Sequence, residues 1–192
     1  LSQTELTGAE VYAQNLIESQ LQNQHQVFVI SDNVHVPLST TWTRLTLSTA
    51  SFTTRMNNIW QLRGFIMQNK IDVIHCHSRG AVRHAYWARM GLKIAMVTSL
   101  HGRQHVSMSK KLMNIYGEQC IAICENVKKQ MVEQFSMNSN SIQVLRNPCQ
   151  INKSSQLAKT NFKSIALLGR SSGPKGERIE KIAQHCFHQW LS

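Results

Sequence analysis

Acidic residues are scarce in this sequence. The 192 residues include 10 Asp and Glu against 21 Lys and Arg, which gives a formal net charge of +11. No apolar run approaches the roughly 20 residues that a membrane-spanning helix requires. No basic stretch followed by an apolar segment and a small-residue cleavage site opens the chain, so no secretion signal is predicted. The composition, with 42% hydrophobic residues, is that of an ordinary globular protein.

Several motifs of metal and nucleophile chemistry are also absent. No Asp-x-Asp occurs, which disfavours a metal ion that bridges a diphosphate to paired carboxylates. No H-E-x-x-H helix is present. No two cysteines have C-x2-C spacing, so reduced thiols in a cytoplasmic protein are predicted. These cysteines are Cys76, Cys120, Cys124, Cys149 and Cys186.

The excess of positive charge favours anionic partners. The basic residues are dispersed, and no run is longer than the pairs Lys110-Lys111 and Lys128-Lys129. A nucleic-acid-binding arm usually has denser clusters, so nucleic acid is not predicted as a partner. Dispersed charge suits peripheral contact with an anionic membrane surface.

Apolar periodicity predicts strands that alternate with helices. The helices are expected over residues 8–24, 52–69, 80–90, 107–116 and 125–135, and the strands over 26–31, 72–77, 94–100, 120–124 and 141–145. Residues 34–51 are rich in Ser and Thr and are predicted as a loop with at most one short strand. Such alternation is typical of an α/β fold with a Rossmann-like, doubly wound parallel sheet.

Composition divides the chain into three parts. Residues 1–149 form the first domain, the polar residues 150–161 a linker, and residues 162–192 the start of a second Rossmann-like domain. One strand and one helix cannot bury both faces of that strand, so the second domain is expected to be incomplete. A doubly wound sheet usually opens with a strand before its first loop, and no such strand precedes Leu1. We therefore expect a piece of a longer protein.

Two positions in the first domain are candidates for ligand binding. Gly8 stands where a loop enters a helix, and the free N–H groups of a helix N-terminus attract phosphate. His101 directly follows the strand predicted over residues 94–100, at the sheet edge where doubly wound folds bind ligands. A histidine there can bond a sugar hydroxyl or transfer a proton. An ordinary turn explains either residue equally simply.

Two further patterns allow more than one interpretation. Arg170 and Lys175 flank the turn GRSSGPKG between a predicted strand and helix, where they converge on an anion or form a solvated basic turn. His75 and His77 lie on one face of a strand, with Cys76 on the other. They could begin a metal site, but further acidic ligands are scarce, so packed and hydrogen-bonded histidines are predicted.

Six segments, in this order along the chain, resemble the retaining glycosyltransferases of family 4, which have the twin-Rossmann GT-B fold. They are TGAEVYAQNLIESQLQNQHQVFVIS from Thr7, IDVIHCHS from Ile71, VTSLHG from Val97, CIAICENVKKQMVEQF from Cys120, IQVLRNP from Ile142 and LLGRSSGPKGE from Leu167. No single segment is specific to the family. Their shared order across nearly the whole chain makes the resemblance strong.

The resemblance implies transfer of a sugar from a nucleotide-diphosphate sugar to a lipid-linked or saccharide acceptor in cell-envelope polysaccharide or lipopolysaccharide synthesis. Gly8 would lie near the donor diphosphate and the acceptor, and His101 near the transferred sugar. Arg170 and Lys175 would neutralise the diphosphate leaving group in place of a metal, so no metal or cofactor is expected.

The chain departs from the family pattern at three places. One glycine follows Thr7 where the family usually has two, and Asn147-Pro148 replaces its Asn-Gly. The family's Glu-x7-Glu segment, which holds the donor sugar and ribose, is not reached before Ser192. Residues 1–192 alone are therefore expected to have little or no transferase activity.

Other functions fit the same resemblance. A GT-B-fold epimerase or phosphorylase would use the same domain, and an epimerase would act on a nucleotide sugar without an acceptor. A degenerate GT-B protein would bind a glycan or a partner subunit without turnover. These alternatives stay open at the level of sequence.

Overall fold

The computed structural model describes residues 8–34, 39–48, 51–104 and 115–146. The chain divides into two units, Leu1–Cys149 and Gln150–Ser192, and every described residue belongs to the first. The predicted linker, the elements of the second domain and most of the helix expected over residues 107–116 lie outside the described residues.

Four helices and six strands alternate along the described chain. The helices are α1 (Gly8–Gln22), α2 (Phe52–Gln68), α3 (Arg79–Ala88) and α4 (Glu125–Phe135). The strands are β1 (Phe28–Ser31), β2 (Thr41–Arg44), β3 (Val73–Cys76), β4 (Ala95–Leu100), β5 (Gln119–Ala122) and β6 (Ile142–Val144). A 3-10 turn, Ser139–Ser141, precedes β6. The predicted elements that fall within the described ranges are confirmed with ends that shift by at most two residues, and β2 is the short strand in the loop.

Every strand pair in the described part is parallel, so the prediction of a parallel α/β fold is confirmed. β3, β4, β5 and β6 form one sheet in that order, and β1 and β2 form a second. The strands therefore make two ladders and not the single sheet that was expected.

Serine caps fix where two helices begin. The Ser51 Oγ accepts a hydrogen bond from the Thr54 N–H at 3.4 Å, and α2 begins at the next residue. The Ser78 Oγ accepts from the Ala81 N–H at 3.2 Å, and α3 begins directly after it. These bonds satisfy N–H groups that have no partner inside the helix. Because Ser78 also ends the segment after β3, its cap holds His77 close to the sheet edge.

Two apolar clusters form the core of the described part. The larger packs β3–β6 with α3 and α4; its most buried side chains include Met96, Leu100, Met131 and Ile142. The smaller joins α2 to the residues after β2 and the end of α3; it contains Leu45, Leu47, Ile59, Leu62, Ile66 and Ala88. The larger cluster keeps β3 and β4 in register, and their carboxyl ends carry the histidines described next.

Candidate functional site at the carboxyl ends of strands β3 and β4

Two histidines follow adjacent parallel strands. His77 is the first residue after β3, and His101 is the first residue after β4. The register pairs Cys76 with Thr98, so His101 extends beyond His77 along the same edge. Ligands of doubly wound sheets bind outside these carboxyl ends. The prediction that His101 lies at this edge is confirmed.

Hydrogen bonds join the histidines of the two strands. The His77 Nδ1 lies 3.3 Å from the His101 Nε2, and the His75 Nε2 lies 2.8 Å from the Ser99 Oγ. The rings of His75 and His77 are 4.2 Å apart, and those of His77 and His101 stack at 5.6 Å. Packed and hydrogen-bonded histidines were predicted at His75 and His77, and this prediction is confirmed.

Helix α1 brings an aromatic ring to the same edge. The Tyr12 ring contacts the ring of His101 edge-on at 5.3 Å and that of His77 at 5.9 Å. Gly8, the first residue of α1, is four residues before Tyr12 and so one helical turn away. The helix whose N-terminus was predicted to attract phosphate therefore packs on the histidine cluster.

A side-chain amide of α4 holds the segment after His101. The Gln130 Oε1 accepts from the Gln104 N–H at 2.9 Å, and the Gln130 Nε2 donates to the Gln104 carbonyl, also at 2.9 Å. Gln130 is buried, so this pair of bonds is shielded from water. The backbone from His101 to Gln104 is thereby fixed relative to the sheet edge.

Burial keeps the three histidine rings neutral at pH 7. Burial, followed by the charge that His101 has when protonated, lowers the pKa of His75 from 6.5 to about 4. Burial also lowers the pKa of His77 well below its ordinary value, with smaller contributions from His75 and His101. The pKa of His101 is lowered by burial as well. Burial disfavours the charged imidazolium because it removes that cation from water.

The buried Nδ1 of His101 has no hydrogen-bond partner among the described residues. In a neutral imidazole one nitrogen donates and the other accepts, so the bond to His77 determines what the His101 Nδ1 can do. If His77 donates, the His101 Nδ1 carries a hydrogen to give to a ligand oxygen. If His101 donates, its Nδ1 accepts from a ligand hydroxyl.

Neither the histidines nor the cysteines of the described part form a metal site. No group of three or more His, Cys, Asp or Glu side chains in these ranges could hold a metal ion. Cys76 and Cys120 are buried free thiols, and burial raises the pKa of each to about 12. Such thiols pack as small apolar groups and are poor nucleophiles.

Sequence reasoning missed three participants, namely Tyr12, Ser99 and Gln130. Their placement depends on which elements meet in the fold. One signal was available: the pairs 75–99 and 77–101 have the same spacing of 24 residues, as expected when two strands align in parallel. Arg170 and Lys175, the predicted diphosphate ligands, lie outside the described residues.

Known proteins resemble this chain in sequence and in fold. A sequence profile described as Glycosyltransferase Family 4 matches residues 6–153. A search among curated proteins finds no match. Among solved structures, the fold is similar to a glycosyltransferase from Rickettsia africae, with a TM-score of 0.66 and 17% identity over 76% of this chain and 41% of that one.

Two further solved structures have a similar fold. One is the lipopolysaccharide outer core galactosyltransferase WaaB, with a TM-score of 0.64 and 16% identity over 79% of this chain and 45% of that one. The other is HepE from Anabaena, solved with UDP and glucose, with a TM-score of 0.56 and 15% identity over 77% and 42% of the two chains. The chain thus spans less than half of each structure.

Proposed function

The chain belongs to glycosyltransferase family 4, and from that premise we propose that it provides the acceptor-side domain of a retaining transferase. The donor is a nucleotide-diphosphate sugar. The acceptor is a lipid-linked or saccharide intermediate in the synthesis of cell-envelope polysaccharide or lipopolysaccharide. Transfer takes place at the cytoplasmic face of the inner membrane, and residues 1–192 alone have little or no activity.

The observation that supports this proposal best is the unpartnered nitrogen of His101. A buried polar atom without a partner costs free energy, so such an atom at a ligand-binding edge is explained by a ligand that completes its bonding. Gly102, the next residue, has open space where a side chain would stand. The proposed ligand of the His101 Nδ1 is a hydroxyl of the transferred sugar or the acceptor.

In the proposed reaction, one group of residues acts on the sugar and another on the diphosphate. His101 orients the sugar while the sugar–phosphate bond breaks. Arg170 and Lys175 supply fixed positive charge where negative charge develops on the leaving diphosphate, assisted by the N-terminus of α1 at Gly8. With two cations in that role, the reaction requires no metal ion.

Two similar structures support the proposed substrate classes. HepE is described as a complex with UDP, with UDP and glucose, and with UDP-glucose. WaaB is described as a galactosyltransferase of the lipopolysaccharide outer core. UDP-linked hexoses are therefore the first donors to test, and lipid-linked envelope intermediates the first acceptors.

The test uses the native protein that contains this chain, purified from its own cell. It is incubated with UDP-glucose or UDP-galactose and a lipid extract, with and without EDTA, and UDP release is measured. We expect release that requires the lipid extract and is unchanged by EDTA. His101→Ala should lower kcat/KM by about 100-fold or more, as expected for loss of a group that acts in the transition state.

The matched control is His25→Ala, which removes an exposed histidine beyond the end of α1. It should leave kcat/KM unchanged. Interconversion of the nucleotide sugars without acceptor would identify an epimerase instead. Binding of UDP-sugars with no UDP release under any of these conditions would identify a binding protein and contradict the proposal.

A further inference from the structure

Helix α2 exposes a row of large apolar side chains. Phe52 is 69% exposed, Trp60 is 68% exposed and Met67 is 59% exposed, with Met56 between them. At about 3.6 residues per turn these four positions fall within about 80° of the helix circumference. A single exposed apolar residue is normal, but a contiguous row on one helix face indicates a binding surface.

The end of α3 continues this row. The Arg63 Nη1, on the same side of α2, donates to the carbonyls of Ala88 at 2.9 Å and Met90 at 2.7 Å. These bonds hold the end of α3 against α2, where Trp87 and Met90 are also exposed. The α2–α3 face is defined here by its exposed apolar residues Phe52, Met56, Trp60, Met67, Trp87 and Met90, and by the arginines Arg79 and Arg83.

The helices α2 and α3 carry charge of one sign only, and the Glu118 carboxylate beside the end of α3 is paired with Arg89. Between residues 33 and 117 the sequence has a single acidic residue, Asp72. Neither α2 nor α3 contains an acidic residue. On α3, Arg79 and Arg83 are exposed one turn apart, and Trp87 follows Arg83 after one more turn. The basic residues of this stretch are Arg44, Arg55, Arg63, Lys70, Arg79, Arg83, Arg89, Lys93, Arg103, Lys110 and Lys111.

Aromatic side chains beside cations, without carboxylates, suit a lipid surface. Trp and Phe enter the boundary between headgroups and acyl chains, and Arg binds anionic headgroups. A protein partner would have to be both acidic and apolar over this same face, whereas an anionic bilayer offers a charged layer and an apolar layer together. None of the helices in the described ranges is long and apolar enough to cross a membrane.

We infer that the α2–α3 face is a docking surface for anionic phospholipid bilayers. The helices lie along the bilayer with Phe52, Trp60 and Trp87 in its interface and with Arg79 and Arg83 at the headgroups. The inference rests on the proposed function in one respect, because it names the surface that brings the domain to a lipid-linked acceptor. Binding to lipid itself requires neither donor nor acceptor.

The test is sedimentation of the full chain with vesicles of phosphatidylcholine alone or mixed with phosphatidylglycerol. We expect binding to the mixed vesicles only. The double variant F52S/W60S should weaken binding by about 10-fold or more, since each side chain loses its transfer into the apolar layer. The double variant R79Q/R83Q should also weaken binding by about 10-fold or more, since each arginine loses its attraction to the anionic headgroups.

The matched control variants remove an apolar side chain or two cations at positions outside the α2–α3 face. V11S changes an exposed apolar residue of α1, and K128Q/K129Q removes two cations of α4. Both should bind vesicles as the unchanged chain does. Far-UV circular dichroism checks that every variant keeps its helices.

Three outcomes would overturn the inference: no binding to the mixed vesicles, equal weakening by control and face variants, or a lipid-free dimer that F52S/W60S dissociates. The last would show that the face joins two copies of the chain. Failure of the proposed function is seen separately, because UDP release with a water-soluble acceptor does not depend on vesicle binding.

Discussion

The hydrogen bond between His77 and His101 is the residue-level feature with the clearest chemical consequence. Both rings are neutral at pH 7 because burial lowers the pKa of each. One proton is therefore shared between the His77 Nδ1 and the His101 Nε2, 3.3 Å apart. The side that holds this proton sets whether the His101 Nδ1 donates to a ligand or accepts from it. In the proposed reaction His77 is thus a positioning residue for His101.

Substitution of His77 should change the tautomer of His101. His77→Asn keeps a polar amide near the position of Nδ1, whereas His77→Ala leaves the His101 Nε2 without its partner. We expect His77→Ala to lower kcat/KM by about 3- to 10-fold, as for loss of one hydrogen bond, with partial recovery in His77→Asn. Nitrogen-15 NMR of the imidazoles measures the tautomer directly. Unchanged His101 signals in His77→Ala would contradict this role.

The buried histidines should make the fold sensitive to acid. The pKa of His75 is about 4 in the folded chain and 6.5 as its ordinary value, so between these values the unfolded chain binds more protons. Stability is therefore complete above pH 6.5 and falls as the pH decreases toward 4. For His75 alone the loss is on the order of 3 kcal/mol.

Urea unfolding at pH 7.5 and pH 4.5 measures this loss. His75→Gln removes the titrating group and keeps an amide that can reach the Ser99 hydroxyl. We expect this variant to lose less stability between the two pH values than the unchanged chain. His25→Gln, at an exposed position, should lose as much as the unchanged chain. The same loss in all three proteins would exclude His75 as the source.

At the level of elements, two glycines with opposite surroundings show how α2 and α3 pack. A Cβ at Gly80, in the first turn of α3, would lie 2.5 Å from the Leu47 carbonyl oxygen. A Cβ at Gly64, on the exposed side of α2, would meet nothing within 4 Å. Gly80 therefore permits the close contact between α3 and the segment after β2, whereas Gly64 only lowers helix propensity.

Alanine at these two positions should change stability in opposite directions. Gly80→Ala should lower the free energy of unfolding by about 1 to 3 kcal/mol, because backbone atoms must move to admit the methyl group. Gly64→Ala should raise it by about 0.5 to 1 kcal/mol. Urea denaturation of both variants at pH 7.5 measures the difference. Equal effects in the two variants would show that α3 and Leu47 are not in close contact.

At the level of the whole molecule, the described residues hold only part of the groups that the proposed reaction uses. The chain matches 41%, 45% and 42% of the lengths of three similar structures. The proposed diphosphate ligands Arg170 and Lys175 belong to the second unit. The proposed reaction therefore depends on groups that lie outside the described residues.

The intact mass of the protein in its native cell tests this dependence. We expect a species well above the 21.9 kDa of residues 1–192, isolated with an antibody to this region and measured by mass spectrometry. That species should release UDP where residues 1–192 alone do not. A native mass near 21.9 kDa would favour a binding protein or an enzyme that is completed by a separate subunit.

Local patterns in the sequence were enough to predict most elements of the described chain. Helix α4 was predicted over the residues that it occupies, and β4 within one residue, because apolar periods of 3.6 and 2 reflect burial of one face of each element. The same patterns placed His101 at the carboxyl edge of a parallel strand. The order of strands and helices also carried the family resemblance.

Contacts between elements were decided only by the tertiary structure. The bond from His77 to His101 depends on the register of β3 and β4, and the position of Tyr12 depends on where α1 packs. The division into two sheets and the joining of Trp60 and Trp87 on one face likewise depend on which elements become neighbours. Periodicity predicts on which face of its own helix or strand each residue lies. The residues of other elements that contact this face are set by the packing of the whole domain.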